Sequence, residues 1–90
     1  MKYEWDSNKA VANLSKHGVS FEEAKTVFDA PLYVDFYDPD HSYSEYRFIL
    51  LGESIQGRLL FVSYTERDNV IRIISTREAT QSERKVYEQK

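Results

Sequence analysis

Apolar positions change their period near residue 31, and the change splits the chain into a helical front and a strand-rich remainder. Ala10, Val11 and Leu14 fall on one helical stripe. Asp6 stands where an N-cap belongs and Gly18 where a left-handed C-terminal residue belongs. Ser20 opens a second helix, with Glu23 three residues on as a capping box, and Phe21, Ala24, Val27 and Phe28 supply its buried face. Pro31 ends it. The connection is so short that the two helices should form one layer. Ahead of them, Tyr3-Glu4-Trp5 reads as a short edge strand.

Beyond Pro31 the period drops toward two. Leu32 to Tyr37, Tyr46 to Glu53, Arg58 to Glu66 and Val70 to Thr76 are rich in aromatic and β-branched residues and read as strands. Gln56-Gly57 and Asp68-Asn69 mark tight turns, so the last three strands should run as an antiparallel meander. Residues 38–45 make an acidic, proline-containing loop. Thr80 with Glu83 signals another capping box, opening a short last helix that holds Val86 and Tyr87. The expected fold class is α+β: one domain over residues 1–90, a twisted antiparallel sheet with two N-terminal helices on one face and a short C-terminal helix.

Register in the last hairpin has two solutions. A three-residue loop, Arg67 to Asn69, sets Tyr64 opposite Arg72 and Glu66 opposite Val70, which gathers tyrosine, glutamate and arginine on one face. A two-residue loop, Asp68-Asn69, sets Thr65 opposite Arg72 and sends Glu66 to the other face. The first is preferred because it gives carboxylate and guanidinium a common site.

Composition narrows the function. A domain of 90 residues has no second core in which to house a large cofactor. Absent cysteine removes disulfides, thiolate metal sites and a cysteine nucleophile. Neither a signal-peptide pattern nor a membrane-length apolar run is present, so a cytoplasmic protein without a membrane partner is expected. The net charge of −3 argues against broad basic binding of nucleic acid. Its distribution says more. Residues 1–46 carry four lysines, nine acids and no arginine, whereas residues 47–90 carry six arginines, two lysines and six acids. Guanidinium groups bind phosphate oxygens two at a time, although arginines on strands also serve simply as solvated charges.

An ordered set of motifs adds identity to chemistry. Trp5-Asp6-Ser7-Asn8-Lys9 is followed by Lys16-His17-Gly18-Val19-Ser20-Phe21-Glu22-Glu23-Ala24, then Asp38-Pro39-Asp40-His41-Ser42, Arg47-Phe48, Gly57-Arg58-Leu59-Leu60 and Tyr64-Thr65-Glu66-Arg67. Arg72 to Thr80, with Glu83-Arg84 and Tyr87, completes the set. Together they resemble the BrnT family of toxins from type II toxin–antitoxin systems, over nearly the whole chain. The resemblance implies a small RelE-like ribonuclease held inactive by a BrnA-like antitoxin with a ribbon-helix-helix domain. It further implies a heterotetramer that touches DNA only through the antitoxin. Because many ribosome-dependent relatives of that fold are strongly basic, this acidic chain is expected to act on free RNA.

Metal-free RNA cleavage needs a base for the 2′-hydroxyl proton, an acid for the leaving oxygen and cations for the developing charge on phosphorus. Arg72 is the sharpest candidate, since it interrupts the apolar run Val70 to Ile74, where a charge needs a partner or a ligand. Glu66 is its expected companion. Lys16 and His17 close the first helix, where the dipole favours cations, and His17 suits proton transfer. Arg77 and Tyr87 complete the catalytic set, resembling in type the arginines and C-terminal tyrosine of RelE-like enzymes. Arg67, Tyr64 and Arg84 are assigned to substrate binding. No cofactor and no metal are expected, because His17 and His41 lack a third ligand nearby.

Overall fold

The computed structural model describes residues 1–41 and 45–89. Ser42, the last residue of the motif Asp38 to Ser42, lies outside the described residues, as do residues 43 and 44 of the acidic loop. Both front helices start as their caps dictate. The Asp6 carboxylate accepts the Lys9 amide at 3.0 Å and opens α1, Ser7–His17. Gly18 takes φ 69° and its N–H donates to Leu14 O at 2.9 Å, a left-handed stop that costs glycine nothing. Helix α2 spans Phe21–Val27, with Ser20 Oγ accepting the Glu23 amide at 3.0 Å. The expected capping box closes only on that side: the Glu23 carboxylate turns inward to Arg58 and Ser54 instead of back to Ser20.

The buried face of α1 also differs from the apolar stripe. Ala10 packs against the core, but Val11 is 71% and Leu14 52% exposed. Asn13 is the residue turned inward. Its Nδ2 donates to Val19 O at 3.0 Å and Thr76 O at 2.9 Å, while its Oδ1 accepts the Thr76 amide at 3.1 Å. Three bonds to backbone fix the rotation of the helix and outweigh the burial that Val11 and Leu14 would gain.

The sheet has strand order β1-β5-β4-β3-β2, with β1 Lys2–Glu4, β2 Tyr33–Tyr37, β3 Phe48–Glu53, β4 Leu59–Arg67 and β5 Val70–Glu78. Strands β2 to β5 form an antiparallel meander. The sheet is mixed, because β1 joins β5 in parallel, pairing Lys2, Tyr3 and Glu4 with Val70, Ile71 and Arg72. Helix α3, Gln81–Glu88, begins with the complete Thr80/Glu83 capping box.

The preferred register of the last hairpin is corrected. Asp68 and Asn69 both adopt positive φ, 54° and 66°, and make a two-residue turn with Arg67 opposite Val70 and Thr65 opposite Arg72. Aspartate and asparagine tolerate the left-handed region that such a turn requires at both central positions. A bulge between Ser63 and Tyr64 then sets Tyr64 opposite Ile73, so Tyr64 and Glu66 do not share a face with Arg72.

One face of the sheet carries Leu50, Leu60, Val62, Tyr64, Ile71 and Ile73 against Val19, Phe21, Ala24 and Val27 of the helical layer. Full burial of side chains such as Phe21 and Leu60 contributes ~1.5–3 kcal/mol each. The opposite face presents Leu51, Phe61, Thr65, Arg72 and Arg77, and α3 is fastened to it through Arg77.

Candidate active site

Strand pairing alone places three polar side chains in a row. Glu4 on β1 is the partner of Arg72 on β5, which is the partner of Thr65 on β4, so all three emerge on the face away from α1 and α2. Arg67 follows Thr65 by two residues and shares that face. These residues, with Asp68, Val70 and Glu45, line an open polar cleft of about 410 Å³ at the hairpin end of the sheet. Arg72 Nη1 donates to Glu4 Oε2 at 2.7 Å, and the two side chains are 41% and 52% exposed. An exposed pair of this kind is worth only ~0–1 kcal/mol. The guanidinium can therefore exchange part of this contact for an arriving phosphate at little cost.

The far end of β4 carries a different arrangement. Nine residues of strand separate the ends by roughly 27 Å, at ~3.4 Å per residue. There Arg58 Nε donates to Glu23 Oε2 at 3.0 Å, Arg58 Nη2 donates to Glu23 Oε1 and to Gly18 O, and Ser54 Oγ donates to Glu23 at 2.7 Å. The hydrogen bond from Arg58, joined by that from Ser54, holds the Glu23 carboxyl below its ordinary range against the opposing effect of burial. Lys16 and His17 end α1 just before Gly18 and are exposed.

Arg77 is fully engaged nearby. Its Nη1 and Nη2 bind Glu83 at 2.8 and 2.9 Å, and the guanidinium lies over the Phe61 ring at 4.1 Å. The same Glu83 closes the α3 capping box, accepting the Thr80 amide at 2.8 Å. Its pKa is lowered chiefly by the Arg77 hydrogen bond. One carboxylate thus both starts α3 and docks it. The Tyr87 hydroxyl reaches Leu32 O at 3.4 Å, and its ring lines a largely apolar pocket with Pro31, Leu32 and Ile55.

The family model described as ribonuclease toxin, BrnT, of type II toxin-antitoxin system matches residues 5–83. The chain belongs to the BrnT family. Its fold is similar to the crystal structure of the Brucella abortus ribonuclease toxin BrnT, at 24% identity and TM-score 0.66. That match covers 90% of this chain and 99% of the Brucella chain. No curated protein matches it. Membership makes the chain a ribonuclease toxin of a type II system, which has an antitoxin as partner. No helix among the described residues is long and apolar enough to cross a membrane.

Against that BrnT identity, the nine residues singled out from the sequence fall into separate groups. Arg72 and Arg67 meet in the cleft. Glu66 sits at the same end but faces the helical side, opposite Ile71. Tyr64 is buried in the core between Phe28 and Phe48 and donates to Asp35 Oδ1 at 2.9 Å. Burial, reinforced by that hydrogen bond, raises its pKa. Lys16, His17, Arg77 and Tyr87 belong to the other end, and Arg84 is exposed on α3. No group of three or more His, Cys, Asp or Glu side chains suited to a metal occurs among the described residues.

Glu4, Glu45 and the site role of Thr65 went unrecognised in the sequence. Glu4 lies in a strand of three residues, too short for a periodicity signal, and only parallel pairing with β5 brings it to Arg72. Thr65 carried a clue, since the alternative two-residue turn makes it the partner of Arg72.

Proposed function

We propose that this BrnT-family toxin cleaves RNA without a metal, using the hairpin-end cleft to hold the scissile phosphate. The observation that carries the reading is the convergence of two arginines, Arg67 and Arg72, with Thr65 on one open face of the sheet. Their guanidinium groups suit bidentate binding of phosphate oxygens and stabilisation of charge that develops on them during attack. The carboxylates around them, Glu4, Glu45 and Asp68, are interleaved with arginine, which disfavours a divalent cation. Arg77 and Tyr87 serve in this reading to hold α3 in place. Lys16 and His17 on α1 and Arg84 on α3 are exposed outside the cleft lining and in this reading would guide the rest of the RNA strand, while Glu66 faces the helical side of the sheet.

In the cell, the reading places the toxin in the cytoplasm under a BrnA-like antitoxin. That partner would carry a ribbon-helix-helix domain, assemble with the toxin as a heterotetramer and make all the DNA contacts. Purified protein incubated with RNA oligonucleotides in EDTA tests the catalytic part. Cleavage should proceed under chelation, and Arg72→Ala should slow it at least ~10-fold, about 1.4 kcal/mol of barrier. Cleavage that appears only with added Mg²⁺ or Mn²⁺ refutes the metal-free mechanism. A chain that binds its antitoxin yet never cuts RNA favours a non-catalytic co-regulator instead.

A further inference from the structure

We propose that Glu4 is the proton acceptor of the cleavage reaction. The inference rests on the reading that Arg72 and Arg67 hold the scissile phosphate. In RNA the attacking 2′-oxygen is adjacent to the phosphorus it attacks, so base and phosphate ligand must be immediate neighbours. Glu4 meets that condition through its backbone position, as the direct partner of Arg72 across β1 and β5, with Oε2 2.7 Å from Arg72 Nη1. Among the described residues its Oε1 accepts no hydrogen bond, which leaves one oxygen free for a hydroxyl proton.

The other groups able to accept a proton are less well placed. Glu66 projects on the helical side, opposite Ile71. Tyr64 is buried, and its hydroxyl proton is committed to Asp35. His17 lies at the far end of the sheet, one residue from the Gly18 carbonyl that binds Arg58. Among the described residues, Glu45 and Asp68 line the cleft but make no ion pair with either arginine.

In the step itself, the bond from 2′-oxygen to phosphorus forms as the bond from phosphorus to the 5′-oxygen breaks. The products are a 2′,3′-cyclic phosphate and a free 5′-hydroxyl. The 2′ proton passes to Glu4 and then to water, and the leaving 5′-oxygen takes its proton from water. Arg72 has two tasks. It binds the phosphate and holds the glutamate beside it.

Single-turnover cleavage of an RNA oligonucleotide, paired with binding of the same oligonucleotide carrying a 2′-deoxy nucleotide at the cleavage site, tests the assignment. Glu4→Gln should slow cleavage ~100-fold or more, while probe binding is unchanged or tighter because a negative charge has been removed. Glu4→Asp should fall between Glu4→Gln and the parent.

If Glu4→Gln cleaves within about threefold of the parent while Arg72→Ala is inactive, Glu4 is not the base and the arginine reading stands. Equal cleavage by the parent and Arg72→Ala overturns the arginine reading itself. Loss of probe binding in step with cleavage in Glu4→Gln would make Glu4 an anchor for Arg72 and overturn its role as proton acceptor.

Discussion

Replacing Glu23 by alanine should destabilise the protein more than any change in the cleft. The residue is 4% exposed, and its carboxylate accepts hydrogen bonds from Arg58 Nε, Arg58 Nη2 and Ser54 Oγ. Breaking a buried ion pair from one side costs ~3–5 kcal/mol when the remaining charge is stranded. Arg58 is not stranded. Its side chain is 30% exposed, it keeps Gly18 O at 3.1 Å, and Glu78 lies 3.6 Å away. The expected loss is therefore about 2–3 kcal/mol, or a fall in Tm of roughly 10–20 °C for a domain of this size.

Chemical denaturation of Glu23→Ala, Arg58→Ala and the double variant would measure this, with a coupling energy of ~1–3 kcal/mol expected. The sign with pH follows from the direction of the shift. The folded carboxyl titrates below its unfolded value of 4.5, so its contribution is complete above that value and is lost as pH falls through the lower folded pKa. Glu23→Gln should flatten that acid loss. A loss below ~0.5 kcal/mol in Glu23→Ala, or no coupling to Arg58, would refute the reasoning.

Two further outcomes are expected. A Cβ at Gly52 would stand 2.9 Å from Val27 Cγ1 and 3.3 Å from both Leu32 O and Tyr33 Cβ. Gly52→Ala should therefore cost ~1–3 kcal/mol in a thermal or denaturant melt, and an unchanged midpoint would show that α2 gives way freely. The antitoxin is expected to cover the arginine-bearing face of the sheet and α3 with an acidic, apolar segment. Hydrogen exchange should show protection over residues 65–88 on complex formation, and protection confined to α1 and α2 would rule out that covering.

Local signals in the sequence were read well where a side chain and its partner lie within a few residues. Asp6, Ser20 and Thr80 each bind the amide three residues on, and Gly18 closes its helix with its own backbone. Nothing local marks a long-range bond. Glu23 is spaced for a capping box, yet Arg58, thirty-five residues away, competes for its carboxylate and wins because a charged donor binds it more strongly than an amide. Asn13 interrupts an apolar stripe and reads as polar surface until Thr76 supplies its partners. The cleft was half legible. Arg72 stood out in an apolar strand, but its neighbours depended on a turn of two residues and on a bulge that no pattern of alternation announces.

With Glu4 and Arg72 as the proposed site, the parallel docking of β1 ties the toxin's activity to the timing of its synthesis. Glu4 and Arg72 are separated by 68 positions in the chain, so the first strand emerges from the ribosome long before there is anything for it to join. The proposed cleft stays incomplete until Arg72 has emerged, and β1 can add only after the last hairpin has folded. Contacts so distant in sequence form late. Activity at the proposed site would thus wait for the last hairpin, leaving an interval in which an antitoxin already present can meet each new copy before its first cut.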